Sequence, residues 1–382
     1  MATNNNNKAL NVPHLRFPEF KGEWERCKFG DIATGFDYGM NAAAKPFDGE
    51  NKYIRITDID DVSSLYRYDD IVSPDGEIAD NYLVRENDIL LARTGASTGK
   101  SYLYRNSDGK LYFAGFLIRA NIRKHNSYFV FTQLHTHRYW RWVSVMSARS
   151  GQPGINSQEY ASFPVYTTSL QEENKIAAFF KLLDDRIATQ NKIIERLETL
   201  IKAIGKTLLG ESDKYMYLGD LCDIKKGTQI NKSALSNKGP YYVMNGGIVP
   251  SGYYDLYNTN ANTISISEGG NSCGYVQYNY TPFWSGGHCY TLENISPEVD
   301  CRYLFHYLKA NELEIMSLRI GSGLPNIQKK DLSLFRIPLP TWKNQKTVAR
   351  SLDLLLYKIV VEQNTLQGHK LQKAYLLQQM FI

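Results

Sequence analysis

The chain has 382 residues and a mass of 43.6 kDa, with 22% charged and 43% hydrophobic residues. At roughly 100 to 200 residues per domain, this length predicts two or three units and excludes a single small module. The composition excludes low-complexity disorder. A net charge of +5 allows an acidic partner such as nucleic acid without requiring one.

Aromatic residues make up 13% of the chain, including 27 tyrosines. Tyr supplies polar recognition surfaces but also forms strands in an ordinary sheet-rich core, so composition leaves both interpretations open. The amino terminus lacks the features of a secretory signal, and no run approaches the roughly 18 apolar residues of a membrane span. The five cysteines form no C-x-x-C pair. They predict free thiols in a reducing cytoplasm.

The chain contains an internal repeat. The segment SGQPGINSQEYASFPV from Ser150 aligns with SGLPNIQKKDLSLFRI from Ser322, and this offset of 172 residues holds to the carboxyl terminus. Upstream, the segment from Ile89 to Gly99 resembles the segment from Ile264 to Gly274. Each copy is therefore predicted to be a globular block followed by one long helix.

Both predicted helices carry a coiled-coil seam. Apolar residues recur at alternating steps of three and four from Ile176 to Leu208, interrupted by Gln190, over about four to five heptads. The second seam is more polar, with Glu362, His369 and Lys373 among its positions. A helix of roughly 60 Å needs a partner, which predicts antiparallel pairing of the two helices. Gln190 and Glu362 would then meet as a register-fixing layer, or else are two solvated interruptions.

The blocks contain short strand-like runs such as YIRITDI, NDILLAR, KLYFAGFLI and NTISISEGG, and a helical pattern from Tyr303 to Met316. The predicted fold class is α+β (mixed α/β), with two globular domains separated by a long antiparallel two-helix coiled coil in a pseudo-two-fold repeat. The predicted segments are a flexible tail at 1–10, the first block at 11–168, a central helix at 169–210, the second block at 211–341 and a carboxyl-terminal helix at 342–382.

Catalytic motifs are not evident. The string GASTGKS (95–101) is similar to a phosphate-binding loop, but Thr94 stands in place of the first glycine and a strand-like run follows. The cysteines and His288 match no common metal-ligand spacing. Adenine methyltransferase and nuclease motifs are absent from the sequence, which predicts a binding protein.

The opening LRFPEFKGEWE (15–25), the duplicated plan and the repeated loop-to-helix junctions together resemble the specificity (S) subunit of Type I restriction-modification systems. The resemblance implies that each block is a target recognition domain reading one half of an asymmetric bipartite site on double-stranded DNA. It also implies that the helices set the spacing and dock methyltransferase (M) subunits, two in number, with restriction (R) subunits completing the complex. The polar seam positions His369 and Lys373 depart from the pattern of that family.

The same resemblance implies a cytoplasmic, non-catalytic subunit of a complex with adenine methyltransferase and endonuclease activities. It implies no cofactor on this chain, because S-adenosylmethionine, ATP and Mg would be bound by the partner subunits. Two other functions stay open. One is a coiled-coil scaffold whose blocks bind protein or carbohydrate, and the other is a nucleotide-binding enzyme centred on Lys100.

The candidate DNA-contacting residues lie in loops rich in side chains that bond bases or phosphates. In the first block they are Arg93, Thr94, Ser97, Thr98, Lys100, Arg149, Gln152 and Asn156. In the second block they are Lys225, Lys226, Gln229, Asn231, Lys232, Asn245, Glu268, Asn271, Ser272, Asn326 and Lys329. For each of them a solvated or turn-forming role is the alternative. On the second helix, Leu356 and Val360 are predicted to dock a methyltransferase subunit or, alternatively, the flanking domains.

Overall fold

The structure is a computed structural model that describes residues 11–148, 152–209, 212–321, 323 and 325–382. The predicted tail at 1–10 lies outside the described residues. The chain forms two compact units, which divide between Gln190 and Asn191 and again between Asn364 and Thr365. The first unit therefore combines the first block with the carboxyl-terminal residues, and the second unit holds the second block. Within the described ranges, no helix has the length and apolar character needed to cross a membrane.

The first block is built from short strands in small sheets. Its strands are β1 (Glu25–Lys28), β2 (Ala33–Tyr38), β3 (Ala43–Pro46), β4 (Lys52–Ile54), β5 (Val72–Asp75), β6 (Asp88–Ala92), β7 (Ser101–Leu103), β8 (Leu111–Phe113), β9 (Leu117–Ile122) and β10 (Pro164–Thr167). Its helices are α1 (Phe29–Ile32), α2 (Ser127–Gln133), α3 (His137–Met146) and α4 (Ser157–Ala161), and the long helix α5 (Leu170–Leu208) follows. The largest sheet has the order β2-β9-β6-β7, and β4 pairs in parallel with β8.

Strand β6 is buried on both faces. Ile89 and Leu91 belong to one apolar cluster, whereas Leu90 and Ala92 belong to another that includes Tyr102. Successive side chains of a strand point to opposite faces, so a strand between two clusters needs an unbroken apolar run. This explains why the sequence of β6 shows no polar alternation.

The second block repeats this plan. Its strands are β11 (Tyr215–Tyr217), β12 (Asp223–Lys226), β13 (Tyr241–Met244), β14 (Gly252–Tyr254), β15 (Thr263–Ser267), β16 (Val276–Asn279), β17 (Trp284–Ser285), β18 (Cys289–Glu293) and β19 (Arg336–Pro338). Its helices are α6 (Leu218–Leu221), α7 (Cys301–Ala310), α8 (Glu312–Ser317) and α9 (Lys329–Ser333), and the long helix α10 (Trp342–Met380) follows. The sheet order β12-β18-β15-β16 matches β2-β9-β6-β7, and the parallel pair β13-β17 matches β4-β8. The predicted mixed fold class and internal repeat are confirmed.

The helical pattern predicted from Tyr303 to Met316 is confirmed, and the structure divides it between two helices. Helices α7 and α8 are separated at Asn311, whose backbone angles are φ −103° and ψ 23°. The Asn311 side chain donates a hydrogen bond to the carbonyl of Tyr307 at 2.8 Å. Asn competes for backbone groups in this way, which is why it ends helices in spite of an apolar pattern that continues past it.

In the first unit the two long helices pack antiparallel. The rings of Phe180 in α5 and Phe381, just beyond α10, have centroids 5.7 Å apart. Further along α5, Asp184 accepts a hydrogen bond from Lys373 of α10 at 2.5 Å. A later residue of α5 thus meets an earlier residue of α10, which defines the direction. Lys373, a polar position of the second seam, is satisfied by this ion pair.

In the second unit the same helices contribute to the core of the second block. Ile201 and Ile204 of α5 pack against a buried cluster that includes Ala349 and Leu352 of α10. The predicted register residues belong to different units. Gln190 is buried, and Glu362 pairs with Lys358 within α10 at 2.5 Å. The register layer stays a prediction.

Candidate nucleic-acid interface

Two loops that are distant in sequence meet at the end of strand β6. We call residues 93–100 and 152–156 loop pair 1. The backbone amide of Gly95 donates to the carbonyl of Pro153 at 2.9 Å, and the amide of Ile155 donates to the carbonyl of Arg93 at 2.9 Å. Most of the candidates predicted in the first block are therefore brought together, whereas Arg149 lies outside the described residues.

The second block builds the same arrangement at the end of β15. We call residues 268–274 and 325–329 loop pair 2. Here the amide of Gly270 donates to the carbonyl of Pro325 at 3.0 Å, and the amide of Ile327 donates to the carbonyl of Glu268 at 2.8 Å. The pair gathers the predicted residues Glu268, Asn271, Ser272, Asn326 and Lys329. Equivalent backbone bonds in both blocks indicate one backbone frame that carries two different sets of side chains.

Several candidates of loop pair 1 have structural partners. Thr98 is buried, and its hydroxyl donates to the carbonyl of Gly95 at 2.8 Å. Lys100 forms an ion pair with Asp61. Strand β7 begins at Ser101, so the helix that a phosphate-binding loop requires does not follow Lys100.

The remaining candidates of loop pair 1 lie at its surface. Thr94 forms a bridge with Gly154, Ser97 ends a 3-10 turn and is half-buried, and the side chain of Gln152 is exposed. Arg93 is half-buried, and its guanidinium lies over the ring of Tyr38 at 4.8 Å from the centroid. The guanidinium presents its donors in a rigid planar fork, so this contact restricts the directions in which they can bond.

Asn156 caps helix α4. Its Oδ1 accepts from the amide of Glu159 at 2.9 Å, and the Glu159 carboxylate accepts from the amide of Asn156 at 2.7 Å. Asn156→Ala should lower the free energy of unfolding of the first block by about 1 kcal/mol, the usual effect of losing a cap. Hydrogen exchange of α4 measures the loss, and Asn156→Asp, which keeps the cap, is the control. A change in DNA preference at unaltered stability would contradict this capping role.

Loop pair 2 is centred on a buried carboxylate. Glu268 is 9% exposed, and its Oε1 accepts from Lys226 at 2.5 Å and from the hydroxyl of Tyr290 at 3.3 Å. Its Oε2 lies 3.6 Å from Nδ1 of His288. Burial and the adjacent Glu268 carboxylate raise the pKa of Tyr290 to about 12, so its hydroxyl remains a donor.

Other candidates of the second block flank this centre. Lys225 pairs with Glu293 at 2.5 Å. Asn245 is half-buried, and its Oδ1 accepts from the amide of His288 at 3.1 Å. Exposed residues of the β12–β13 connection and of loop pair 2 supply the remaining polar groups. They are Gln229, Asn231, Lys232, Asn271, Asn326 and Lys329, with Ser272 half-buried.

Sequence reasoning missed three residues beside these centres. Tyr38 and Phe116 are 42% and 59% exposed and flank Arg93. The side chain of His288 is 61% exposed and flanks Glu268. A cavity of about 640 Å³ in the first block is lined in part by Tyr38, Arg93 and Phe116. Unusually exposed aromatics next to a predicted recognition loop are the signal that was available, but their exposure is a tertiary property.

A comparison with protein families identifies the two similar blocks. The chain matches the family described as the Type I restriction modification DNA specificity domain twice, over residues 21–199 and 212–368. The chain belongs to this family. The resemblance inferred from the sequence is thereby confirmed, and the alternative of a protein- or carbohydrate-binding scaffold is not favoured.

Individual relatives of the specificity-domain family support the assignment. A Mycoplasma pneumoniae protein named as a type I specificity subunit is 38% identical over 144 residues, covering 37% of this chain and 38% of the relative. This match thus spans less than half of the relative. A Methanocaldococcus jannaschii protein named as the MjaX type I restriction enzyme specificity subunit is 23% identical over 388 residues, covering 90% of this chain and 89% of the relative.

Solved structures of the same kind share the fold. The crystal structure of a Type I restriction-modification S subunit from M. genitalium aligns with a TM-score of 0.69 at 16% identity, covering 97% of this chain and 99% of that chain. A structure from a study of complex assembly in a type I restriction-modification system aligns with a TM-score of 0.56 at 17% identity, covering 94% and 97%. At these identities the likeness supports the fold alone.

Proposed function

We propose that this chain is the DNA-specificity subunit of a Type I restriction-modification complex. Each block reads one half of a bipartite target on double-stranded DNA, and the single observation that carries this proposal is the pair of specificity-domain matches over the two blocks. Loop pairs 1 and 2 have the same backbone bonds but different side chains. Two different readers give two different half-sites, so the target is asymmetric.

The charge balance fits a shared interface. The chain carries a net charge of +5, which is small for a protein that would neutralise many phosphates alone. Methyltransferase subunits would supply the rest of the phosphate-binding surface, and base reading would fall to the loop pairs. In this proposal the chain acts in the cytoplasm without chemistry of its own. S-adenosylmethionine, ATP and Mg would be bound by the methyltransferase and restriction subunits.

The long helices are the proposed docking elements for methyltransferase subunits. On α10, Val360 is 53% exposed, Leu354 61% and Tyr357 70%. Leu356, in contrast, is half-buried against the core of its own unit. The exposed apolar side chains are available to a partner, whereas Leu356 serves the flanking block at least in part.

Val360→Glu should weaken binding of a purified methyltransferase subunit roughly tenfold, because a carboxylate would be buried in an apolar contact. Isothermal titration calorimetry measures the affinity, and thermal unfolding of the free chain should be unchanged. Leu356→Glu is the comparison, and it should also destabilise the second unit. Unaltered affinity of the Val360 variant would contradict docking at this face.

The proposed function is tested by mapping methylated adenines in DNA exposed to this chain with its methyltransferase. A bipartite asymmetric motif should appear with the chain present and be absent with the methyltransferase alone. Exchanging residues 1–168 for those of another family member should change one half of the motif and leave the other intact. Methylation without sequence preference, or no DNA binding in the complex, would overturn the proposal.

A further inference from the structure

Three positions of the first block have exact backbone counterparts in the second. The amide of Arg93 donates to the carbonyl of Phe116 at 3.1 Å, and the amide of Glu268 donates to the carbonyl of His288 at 2.9 Å. Together with the bonds that join each loop pair, these bonds place Arg93 opposite Glu268 in the repeat. They place Phe116 opposite His288.

The third counterpart comes from the neighbouring strand. Tyr38 is paired with Ile118 in the β2–β9 ladder, and Lys226 is paired with Tyr290 in the β12–β18 ladder. A glycine follows each strand. The amide of Gly39 donates to the carbonyl of Leu117 at 3.1 Å, and the amide of Gly227 donates to the carbonyl of Cys289 at 2.9 Å. Each acceptor is the residue before the ladder partner. Tyr38 and Lys226 are therefore equivalent. We call Tyr38, Arg93 and Phe116 triad 1, and Lys226, Glu268 and His288 triad 2.

In both triads a more buried central side chain holds two exposed ones. Arg93 lies 4.8 Å from the ring centroid of Tyr38 and 6.0 Å from that of Phe116. Glu268 binds Lys226 and lies beside His288. The side chain of Lys226 is 54% exposed and that of His288 is 61% exposed. The buried Nε of Arg93 and Oε2 of Glu268 have no hydrogen-bond partner among the described residues. Tyr38 and Phe116 therefore orient Arg93, whereas Lys226, His288 and the hydroxyl of Tyr290 orient Glu268.

The chemistry of the two triads is opposite. Triad 1 offers two aromatic surfaces around a cation, beside the cavity of about 640 Å³. Triad 2 offers an ammonium and an imidazole around a carboxylate. In the major groove an aromatic side chain makes apolar contact with the thymine methyl, whereas a lysine donates to O6 and N7 of guanine.

Building on the proposed function, we propose that triads 1 and 2 are equivalent base-reading centres that make the two half-sites differ. Phe116 and Tyr38 contact a thymine methyl in the half-site of the first block. Lys226 contacts a guanine in the half-site of the second block. Arg93 and Glu268 are positioning residues that hold these side chains.

The first test replaces each thymine of the first half-site by uracil, which lacks only the methyl group, and measures binding of the complex of full chain and methyltransferase. Affinity should fall about fourfold at one thymine, the effect of one buried methyl. Phe116→Ala, which leaves only Tyr38 at the methyl, should reduce the difference in affinity between the thymine and uracil duplexes. Phe47→Ala removes another exposed aromatic of the first block, 39% exposed, and should keep the discrimination. Equal binding of all uracil duplexes by the unmodified chain would overturn triad 1.

The second test replaces each guanine of the second half-site by 7-deazaguanine, which lacks N7. Affinity should fall roughly tenfold at one guanine, and Lys226→Met should no longer distinguish the two duplexes. Lys214→Met removes a lysine of the same unit that pairs with Glu298, and it should keep the discrimination. A loss with Lys226→Met that is uniform over all sequences would indicate a phosphate contact and overturn triad 2.

The positioning role has its own readout. Glu268→Gln keeps the shape of the side chain but removes the charge that holds Lys226, so discrimination of 7-deazaguanine should weaken while the melting temperature stays near that of the unmodified chain. If Glu268→Gln does not fold, the analogue scans on the unmodified chain still decide the question. Absence of any sequence preference in the unmodified complex would overturn the proposed function together with the triads. Preference without analogue sensitivity would overturn the triads alone.

Discussion

Arg16→Ala should lower the free energy of unfolding of the first unit by about 3–5 kcal/mol, the range for breaking a buried ion pair. Arg16 donates to both carboxylate oxygens of Glu172, at 2.6 Å from Nε and 2.7 Å from the terminal nitrogen. The Glu172 side chain is only 1% exposed. Thr168 donates to it at 2.6 Å and Trp24 at 3.3 Å. Without Arg16, the buried Glu172 carboxylate would keep only the neutral donors Thr168 and Trp24.

The pH dependence of this loss follows from Glu172. Burial raises the pKa of Glu172, but the hydrogen bonds from Arg16 and Thr168 and the charge of Arg16 outweigh burial, and the pKa lies below its usual value of 4.5. A carboxylate with a lowered pKa stabilises the folded state at pH values above its usual pKa. This stabilisation is lost as the pH falls through the lowered pKa. The difference between Arg16→Ala and the unmodified chain should therefore be largest above about pH 4.5 and shrink in acid.

Hydrogen exchange by mass spectrometry is the suitable measurement, because a chain with two units need not unfold in one transition. Slowly exchanging amides of the first unit report its stability. Arg67→Ala is the matched control, because Arg67 pairs with Asp69 at the surface and its loss should leave exchange unchanged. Equal exchange in Arg16→Ala and Arg67→Ala would refute the buried ion pair as a determinant of stability.

Gly227→Ala should destabilise the second block by about 3 kcal/mol, the upper end of the range for overpacking. A methyl group there would lie 2.3 Å from the carbonyl oxygen of Gly286 and 2.4 Å from that of Ser285. A side chain could relieve such a contact by changing its rotamer, but a carbonyl oxygen cannot. The backbone around Gly227 or around 285–286 would therefore have to shift. Gly39, its counterpart in the first block, has the carbonyl oxygen of Ala114 at 2.2 Å from the same position. Gly39→Ala should destabilise the first block similarly.

Gly368→Ala is the same chemical change, but it should raise the stability of the chain. Gly368 lies within α10, and nothing stands within 4 Å of the position its methyl group would take. Alanine in a helix interior is better than glycine by about 0.5–1 kcal/mol, so this variant should be stabilised. Hydrogen exchange of each unit compares the three substitutions. Destabilisation by Gly368→Ala, or a neutral Gly227→Ala, would contradict the steric argument.

The motif at 15–25 shows how far the sequence alone could lead. It carried part of the family resemblance, but the role of its residues was not evident. Arg16 and Trp24 bind a carboxylate at the start of α5, about 150 positions away. Local patterns contain no information on such a contact, because it depends on how the chain returns after an intervening block.

The loop pairs were predicted in part from the sequence. Residues at 93–100 and 152–156 were both proposed as candidates because each loop is rich in groups that bond bases. Their meeting was not predicted, since the bonds join backbone atoms of Gly95 and Pro153 and carry no sequence pattern. The sequence similarity of 89–99 to 264–274 already aligns Arg93 with Glu268. The shared backbone bonds show that these residues of opposite charge occupy the same position in the two blocks.

The sequence by itself determined the repeat, the two long helices and several of the buried strands, because these follow from local apolar periodicity and from self-similarity. It indicated helix from Tyr303 to Met316 but not the division at Asn311, where one side-chain bond ends a helix within the apolar pattern. The tertiary structure alone decided which candidates are caps or ion pairs, as Asn156 and Lys100 are, and which stay exposed beside a buried centre. Burial and pairing are properties of residues brought together from distant parts of the chain, and no single segment of sequence contains them.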